Sequence, residues 1–259
     1  MSNVSRPAPL RVTRTAHTVL VELHRPERRN ALDERLLTEL EQALEDLRDD
    51  DELRALVLSG AGASFCAGHD LDQPELPTGV AAARRYVLRL QRCFELLRAL
   101  PVVSIAAVHG HAVGAGAELA LACDLIVARD DAVLRFPEVA VGLAIGGGSS
   151  WALPRLVGLA VARQLVLLGR PLPAERAHEL GLVAELVPAD DPDRDHRSVA
   201  LELAEQLAER SPLALQLART VLQRGAEGSL AEAVLLETEH MTLTALAAME
   251  PQRLPTDPP

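Results

Sequence analysis

The chain has 259 residues, which suits one large α/β domain with at most a small appended lobe, and 48% of them are apolar, enough for a sizeable core. Its net charge of −11 argues against nucleic acid as a bulk partner. All 26 basic residues are arginine, which rules out a Schiff-base lysine and a lysine-bearing phosphate loop. Aromatics are only 2%, so Leu, Val and Ala must build the core. Cys66, Cys93 and Cys123 are widely spaced and form neither a CxxC pair nor a zinc pattern. They read as buried thiols of a reducing compartment, and no stretch is long and apolar enough for a bilayer, so a soluble cytoplasmic protein is expected.

In chain order, residues 1–10 read as a loose tail and Val19–Leu23 as a strand. Asp33 can cap a helix whose Leu36, Leu37, Leu40, Leu44 and Leu47 form one apolar stripe. Leu53–Ser59 is an apolar strand, covered on both faces. A proline-bearing loop over 72–79 leads to a helix over 80–99 and a strand over Val102–Val108. A helix starts near Ala115, and two short strands flank the Asp130-Asp131 turn. Beyond 150 the pattern is almost wholly helical, which predicts a core of strand–helix turns over 1–195 and a helical lobe over 196–259.

Two glutamates stand out, 20 positions apart. Glu118 lies in an apolar, small-residue helix start (Gly114-Ala115-Gly116-Ala117-Glu118-Leu119), where a carboxylate is poorly solvated. Glu138 follows Pro137 at a strand exit, where it can project into a cleft. Two carboxylates in one cleft can divide acid and base work on one substrate. Small residues around Gly68, in Phe65-Cys66-Ala67-Gly68-His69-Asp70-Leu71, let a backbone N–H approach a ligand closely. The His69 side chain, a base or metal ligand by type, has no second ligand at metal spacing; His109 and His111 lack one too, and no metal site is expected. The turn Gly60-Ala61-Gly62 lacks the third glycine of a dinucleotide fingerprint and reads as a plain turn.

At these residues the chain resembles the enoyl-CoA hydratase/isomerase, or crotonase, family. The resemblance rests on five ordered motifs: Arg25-Pro26 with Asn30-Ala31-Leu32, Phe65 to Leu71, His109 to Leu119 with Cys123-Asp124, Phe136-Pro137-Glu138 with Val141-Gly142-Leu143, and Gly181-Leu182-Val183. It implies an α/β crotonase-like spiral of β-β-α turns with a helical C-terminal lobe, assembled as a homotrimer or homohexamer. It implies that the backbone N–H groups of His69 and Ala115 hold an acyl thioester carbonyl. Glu118 and Glu138 would handle a water and the C2 proton. Arg28, Ala67, Asp70, Leu71, Gly114 and Gly146 would lie along the CoA and acyl path. Coenzyme A enters as part of the substrate, with no separate cofactor and neither membrane nor nucleic acid as partner. The implied activity is enoyl-CoA hydration in acyl or fatty acid metabolism. An isomerase, hydrolase or biosynthetic lyase of the same fold, or a silent acyl-CoA-binding subunit, are the alternatives. Ala115 replaces a common glycine, and Ala144 to Gly148 lacks the proline that often precedes that run.

Overall fold

A computed structural model describes residues 7–72, 79–191, 193–225 and 227–249. It has two compact units, Met1–Ala208 and Glu209–Pro259. The loop expected at 72–79 falls, but for its ends, outside the described residues.

The first unit opens on a hairpin, β1 (Leu10–Thr15) antiparallel to β2 (Thr18–Leu23). Leu10 therefore belongs to a strand, not to a tail. β1 is an edge strand exposed after its first residue, so it carries no apolar alternation to read. Next come α1 (Glu34–Arg48), β3 (Ala55–Gly60), α2 (Val80–Ala99), β4 (Val103–Val108), β5 (His111–Val113) and α3 (Ala115–Ala122). β6 (Leu125–Arg129), β7 (Val133–Arg135), α4 (Ser149–Val157), α5 (Leu159–Leu167), β8 (Leu172–Pro173), α6 (Ala174–Glu179), β9 (Glu185–Val187) and α7 (His196–Ala208) complete it. Asp33 caps α1 as expected: its Oδ1 accepts the Leu36 N–H at 2.8 Å. The five leucines of the α1 stripe are all buried.

Among the described residues, six strands form one sheet in the order β1-β2-β3-β4-β6-β9, parallel from β2 onward. Both faces of its centre are covered, so β3 and β4 read as unbroken apolar runs. The period of two is still present: Leu56, Leu58, Ala106 and Val108 face one core. Ala55, Val57, Val103, Ile105 and Ala107 face the other, against Val199, Ala200 and Ala204 of α7.

A second layer is thinner. Each turn of the chain leaves the large sheet, makes a short strand or a single bridge, then enters a helix. Leu32 bridges His69, Cys66 bridges Ala112, and β5, β7 and β8 form a three-stranded sheet. This is the expected spiral of β-β-α turns, and it lays residues 66–69 alongside 111–115. Asn30 ties the layers together. Its side chain is fully buried, accepts from the Arg25 N–H at 2.9 Å and donates to the Ala61 and Ser64 carbonyls at 2.8 Å. Asn30 has φ 57, a left-handed conformation that asparagine tolerates better than most residues.

The division between units falls at 208/209 rather than 195/196, because α7 closes the sheet's second face. The strands β8 and β9, two and three residues long, were hidden in the stretch read as helical. The second unit holds α8 (Pro212–Gly225) and α9 (Leu230–Met249), packed on each other. Ser229 and Glu232 start α9 with a reciprocal capping box, the Ser229 N–H donating to Glu232 Oε2 at 2.7 Å and the Glu232 N–H to Ser229 Oγ at 3.3 Å.

Under α7 lies a buried histidine pair. The His109 and His196 rings are 4.5 Å apart, and neither His196 nitrogen has a hydrogen-bond partner among the described residues. Burial, then the neighbouring His109, pushes His196 down to about 4. An unfolded chain takes up a proton near pH 6.5, whereas the folded one refuses it until about 4. The share of stability that depends on neutral His196 is therefore complete above pH 6.5 and is lost as pH falls toward 4. Glu118, raised to about 7, shifts stability the other way over much of that window, so the test is a difference. The urea midpoint of the wild type should fall across the window relative to that of His196→Phe. Parallel midpoints in the two proteins would acquit the pair.

Candidate active site

The glutamates meet at the N-terminal end of α3. Glu118 sits in its first turn and is 2% exposed. It is placed there because Gly114, at φ 54, breaks β5 into the helix, and the Glu118 N–H closes the first turn on the Gly114 carbonyl at 2.9 Å. Glu138 opens a 3-10 turn just after β7, at 7% exposure. A methyl group at Gly114 would stand 3.2 Å from Glu138 Oε1, so that carboxylate reaches the same turn from the other side.

Their environments differ. Glu118 Oε1 accepts the Gly146 N–H at 2.5 Å. Burial raises the Glu118 pKa to about 7, the Gly146 bond and Arg98 oppose the rise, and the charge of Glu138 adds to it. Burial also raises Glu138, and neither of its oxygens has a hydrogen-bond partner among the described residues. The charge of Glu138 is thus felt at Glu118, which sets the two carboxylates within electrostatic reach of each other.

Two backbone N–H groups near this helix start have no acceptor among the described residues. In the Leu32–His69 bridge, Leu32 donates to the Gly68 carbonyl at 2.7 Å and accepts the Asp70 N–H at 3.0 Å. That pattern uses the residues flanking His69 and turns the His69 N–H away from Leu32. Ala115 is the first residue of α3, so its N–H has no intrahelical acceptor. Gly68, at φ 89, brings them together: a methyl there would lie 2.5 Å from the Val113 oxygen and 3.5 Å from Ala115 N.

The other expected residues form a second group. A cavity of about 470 Å³ is lined by Glu27, Arg28, Arg29, Ala31, His69, Asp70, Leu71 and Asp72. Arg28, Asp70 and Leu71 thus share one cavity, and neither Glu118 nor Glu138 lines it; Gly114 and Gly146 lie at those two carboxylates instead. Ala67 is half-buried and donates its N–H to the Arg29 carbonyl at 2.9 Å. Asp70 is 4% exposed and bonds Arg25 at 2.9 Å and Arg28 at 3.0 Å. It therefore orders the arginines and presents no free carboxylate. Arg25 is buried between Asp33 and Asp70, so of the cluster Arg25, Arg28 and Arg29 it is an anchor.

Sequence reading missed the α2 face that supports Glu118. Gln91, Phe94 and Arg98 share it at spacings of three and four. A methyl at Gly146 would meet Gln91 Nε2 at 3.3 Å, and one at Gly147 would meet Phe94 at 3.1 Å. Arg98 donates to the Gly147 carbonyl, which pins the glycine run over Glu118. Polar residues on an otherwise apolar helix face were the available signal.

The sequence profile of the enoyl-CoA hydratase/isomerase family matches residues 13–251. The chain is 37% identical to 2,3-dehydroadipyl-CoA hydratase of Escherichia coli (strain K12) over 234 residues, covering 90% of this chain and 89% of that protein. It is 38% identical over 216 residues to a mouse protein, enoyl-CoA hydratase domain-containing protein 2, mitochondrial, covering 83% of this chain and 73% of that one. The crystal structure of an enoyl-CoA hydratase from Bacillus anthracis superposes with a TM-score of 0.84 at 32% identity, covering 96% of this chain and 98% of that chain. A spiral of β-β-α turns carrying this cleft is the crotonase fold. The chain belongs to the enoyl-CoA hydratase/isomerase family, whose enzymes act on acyl-CoA.

Proposed function

We propose that the protein is an enoyl-CoA hydratase, adding water across the 2,3 double bond of an enoyl-CoA thioester. The observation that carries this is the pair of buried glutamates of raised proton affinity, set beside two backbone N–H groups that have no acceptor among the described residues. The thioester carbonyl lies against the His69 and Ala115 N–H groups, with the positive end of α3 behind Ala115. Glu118 and Glu138 hold one water. As its oxygen attacks C3, one glutamate takes its proton and the C2–C3 π electrons move to the carbonyl oxygen as an enolate. The other glutamate then protonates C2. Loss of the enoyl absorbance of crotonyl-CoA with purified protein tests the reading. Isomerase or hydrolase turnover without hydration would replace it with that activity of the same fold, and binding without turnover would mark a silent subunit.

The cavity beside His69 suits the CoA end, and Arg29 is its open cation: it is exposed and its side chain has no partner among the described residues. Arg28 is already shared by Asp70 and Asp72. Arg29→Ala should therefore raise KM for crotonyl-CoA several-fold at unchanged kcat, through loss of a phosphate contact. An unchanged KM returns Arg29 to an exposed turn.

A homotrimer or homohexamer is part of the same proposal. α8 and α9 bury no residue, and Leu222, Leu230, Leu235, Met241 and Met249 are exposed. Light scattering at micromolar concentration decides it, a monomer being the contrary result. No described helix is long and apolar enough to cross a membrane. Cys66, Cys93 and Cys123 form no disulfide among the described residues, which suits a reducing compartment, and the cytoplasm is the one proposed.

A further inference from the structure

His69 has a side chain that the proposed chemistry leaves without work, and the structure gives that side chain a partner. His69 Nδ1 lies 3.1 Å from the hydroxyl of Tyr86, on α2, and that hydroxyl lies 3.2 Å from the Leu32 carbonyl oxygen. The rings are 5.6 Å apart. A carbonyl oxygen only accepts, so the Tyr86 proton must go to Leu32. The tyrosine oxygen is then the acceptor for His69, and Nδ1 must carry the ring proton. Any other arrangement sets two acceptors against each other. The chain of bonds ends on Leu32, the residue that clamps Gly68 and Asp70 on either side of His69. Burial favours the neutral ring, in which a proton on Nδ1 leaves Nε2 without one.

We propose that Tyr86 and the His69 imidazole are a positioning pair: a relay from Nδ1–H through the tyrosine hydroxyl to the Leu32 carbonyl fixes the peptide that aims the His69 N–H at the thioester carbonyl. The relay rests on the reading of that N–H as an oxyanion donor. It also leaves Nε2 as a bare acceptor on a ring that lines the cavity. Neither residue touches the reacting atoms through its side chain. Their effect is on geometry, and small misplacements of an oxyanion donor are costly in rate.

The ring nitrogens of the full-length protein report the tautomer directly by 15N NMR, with the His69 signals assigned by their loss in His69→Ala. The neutral wild-type ring should be the Nδ1–H form, and Tyr86→Phe should return it to the Nε2–H form. Tyr86→Phe should also lower kcat by roughly 10-fold while KM moves less than about 2-fold, as misplacement without lost binding predicts. Because both side chains act through one link, Tyr86→Phe with His69→Ala should lose little more than the larger single loss. Rates are read on whichever acyl-CoA thioester the wild type turns over, so a failure of hydration shows separately as stable crotonyl-CoA. An Nε2–H ring in the wild type overturns the relay. So does a folded Tyr86→Phe variant of unchanged melting temperature and unchanged kcat.

Discussion

Glu118→Gln and Glu138→Gln, made singly, are each expected to lower kcat for crotonyl-CoA hydration by about 10²–10⁴-fold, the usual worth of a positioned proton-transfer group. KM should move little, because neither carboxylate is assigned to holding the CoA. The double variant should lose scarcely more than the worse single one, since both serve one water. The pH profile carries a second test. Hydration needs one proton on the pair: with none, nothing protonates C2, and with two, nothing takes the water proton. The upper edge of that window follows Glu118, raised to about 7 by burial. The value of kcat/KM for the free enzyme should therefore fall as pH rises through about 7 and fall again in acid. Full activity in either single variant would end the two-carboxylate mechanism.

Gly68→Ala is expected to be nearly as damaging without touching a titratable group. Gly68 has φ 89, where a side chain is strained, and the added methyl would meet the Val113 carbonyl oxygen at 2.5 Å. The contact is with backbone, so relief must come from moving 68–69 away from 113–115. That separates the His69 N–H from the Ala115 N–H. Loss of one oxyanion donor costs about 10²–10³-fold in kcat, and the strained conformation about 1–3 kcal/mol of stability. Circular dichroism and a melt establish that the variant folds, and kcat is then read at saturating crotonyl-CoA. Wild-type kcat in a folded Gly68→Ala protein would remove this donor pair from the mechanism.

The central strands β2, β3 and β4 were legible because each is a six-residue, largely apolar run, and α1 and α2 because they extend over 15 and 20 residues. Where length failed, reading failed. β8 and β9 are too short to show a period, and β1 has one buried residue. α7 looked like part of the C-terminal lobe because Leu/Ala helices look alike until something covers them. For the site, Glu118 and Glu138 were visible as carboxylates in apolar or cleft-forming contexts. Their supporting partners on α2 were not. Tyr86, Gln91, Phe94 and Arg98 act on residues 50 or so positions away, and no spacing in one chain announces that: Tyr86 reaches Leu32 across 54 positions, and Arg98 reaches Gly147 across 49. Asp70 was visible too, but not the ion pairs by which it anchors Arg25 and Arg28.

The thin second layer also dictates when the enzyme can first work. The His69 N–H waits on the Leu32 bridge, 37 positions away, and the 111–115 segment on the Cys66–Ala112 bridge, 46 positions away. Glu118 waits on Gly146, 28 positions further along. Each is a single contact that closes a long loop, so each is favourable only after the large sheet has already brought its ends together. Helices can form early; the cleft cannot. A growing chain therefore has no complete site until residue 146 is free to fold. During refolding, turnover should return after the helical signal, not with it.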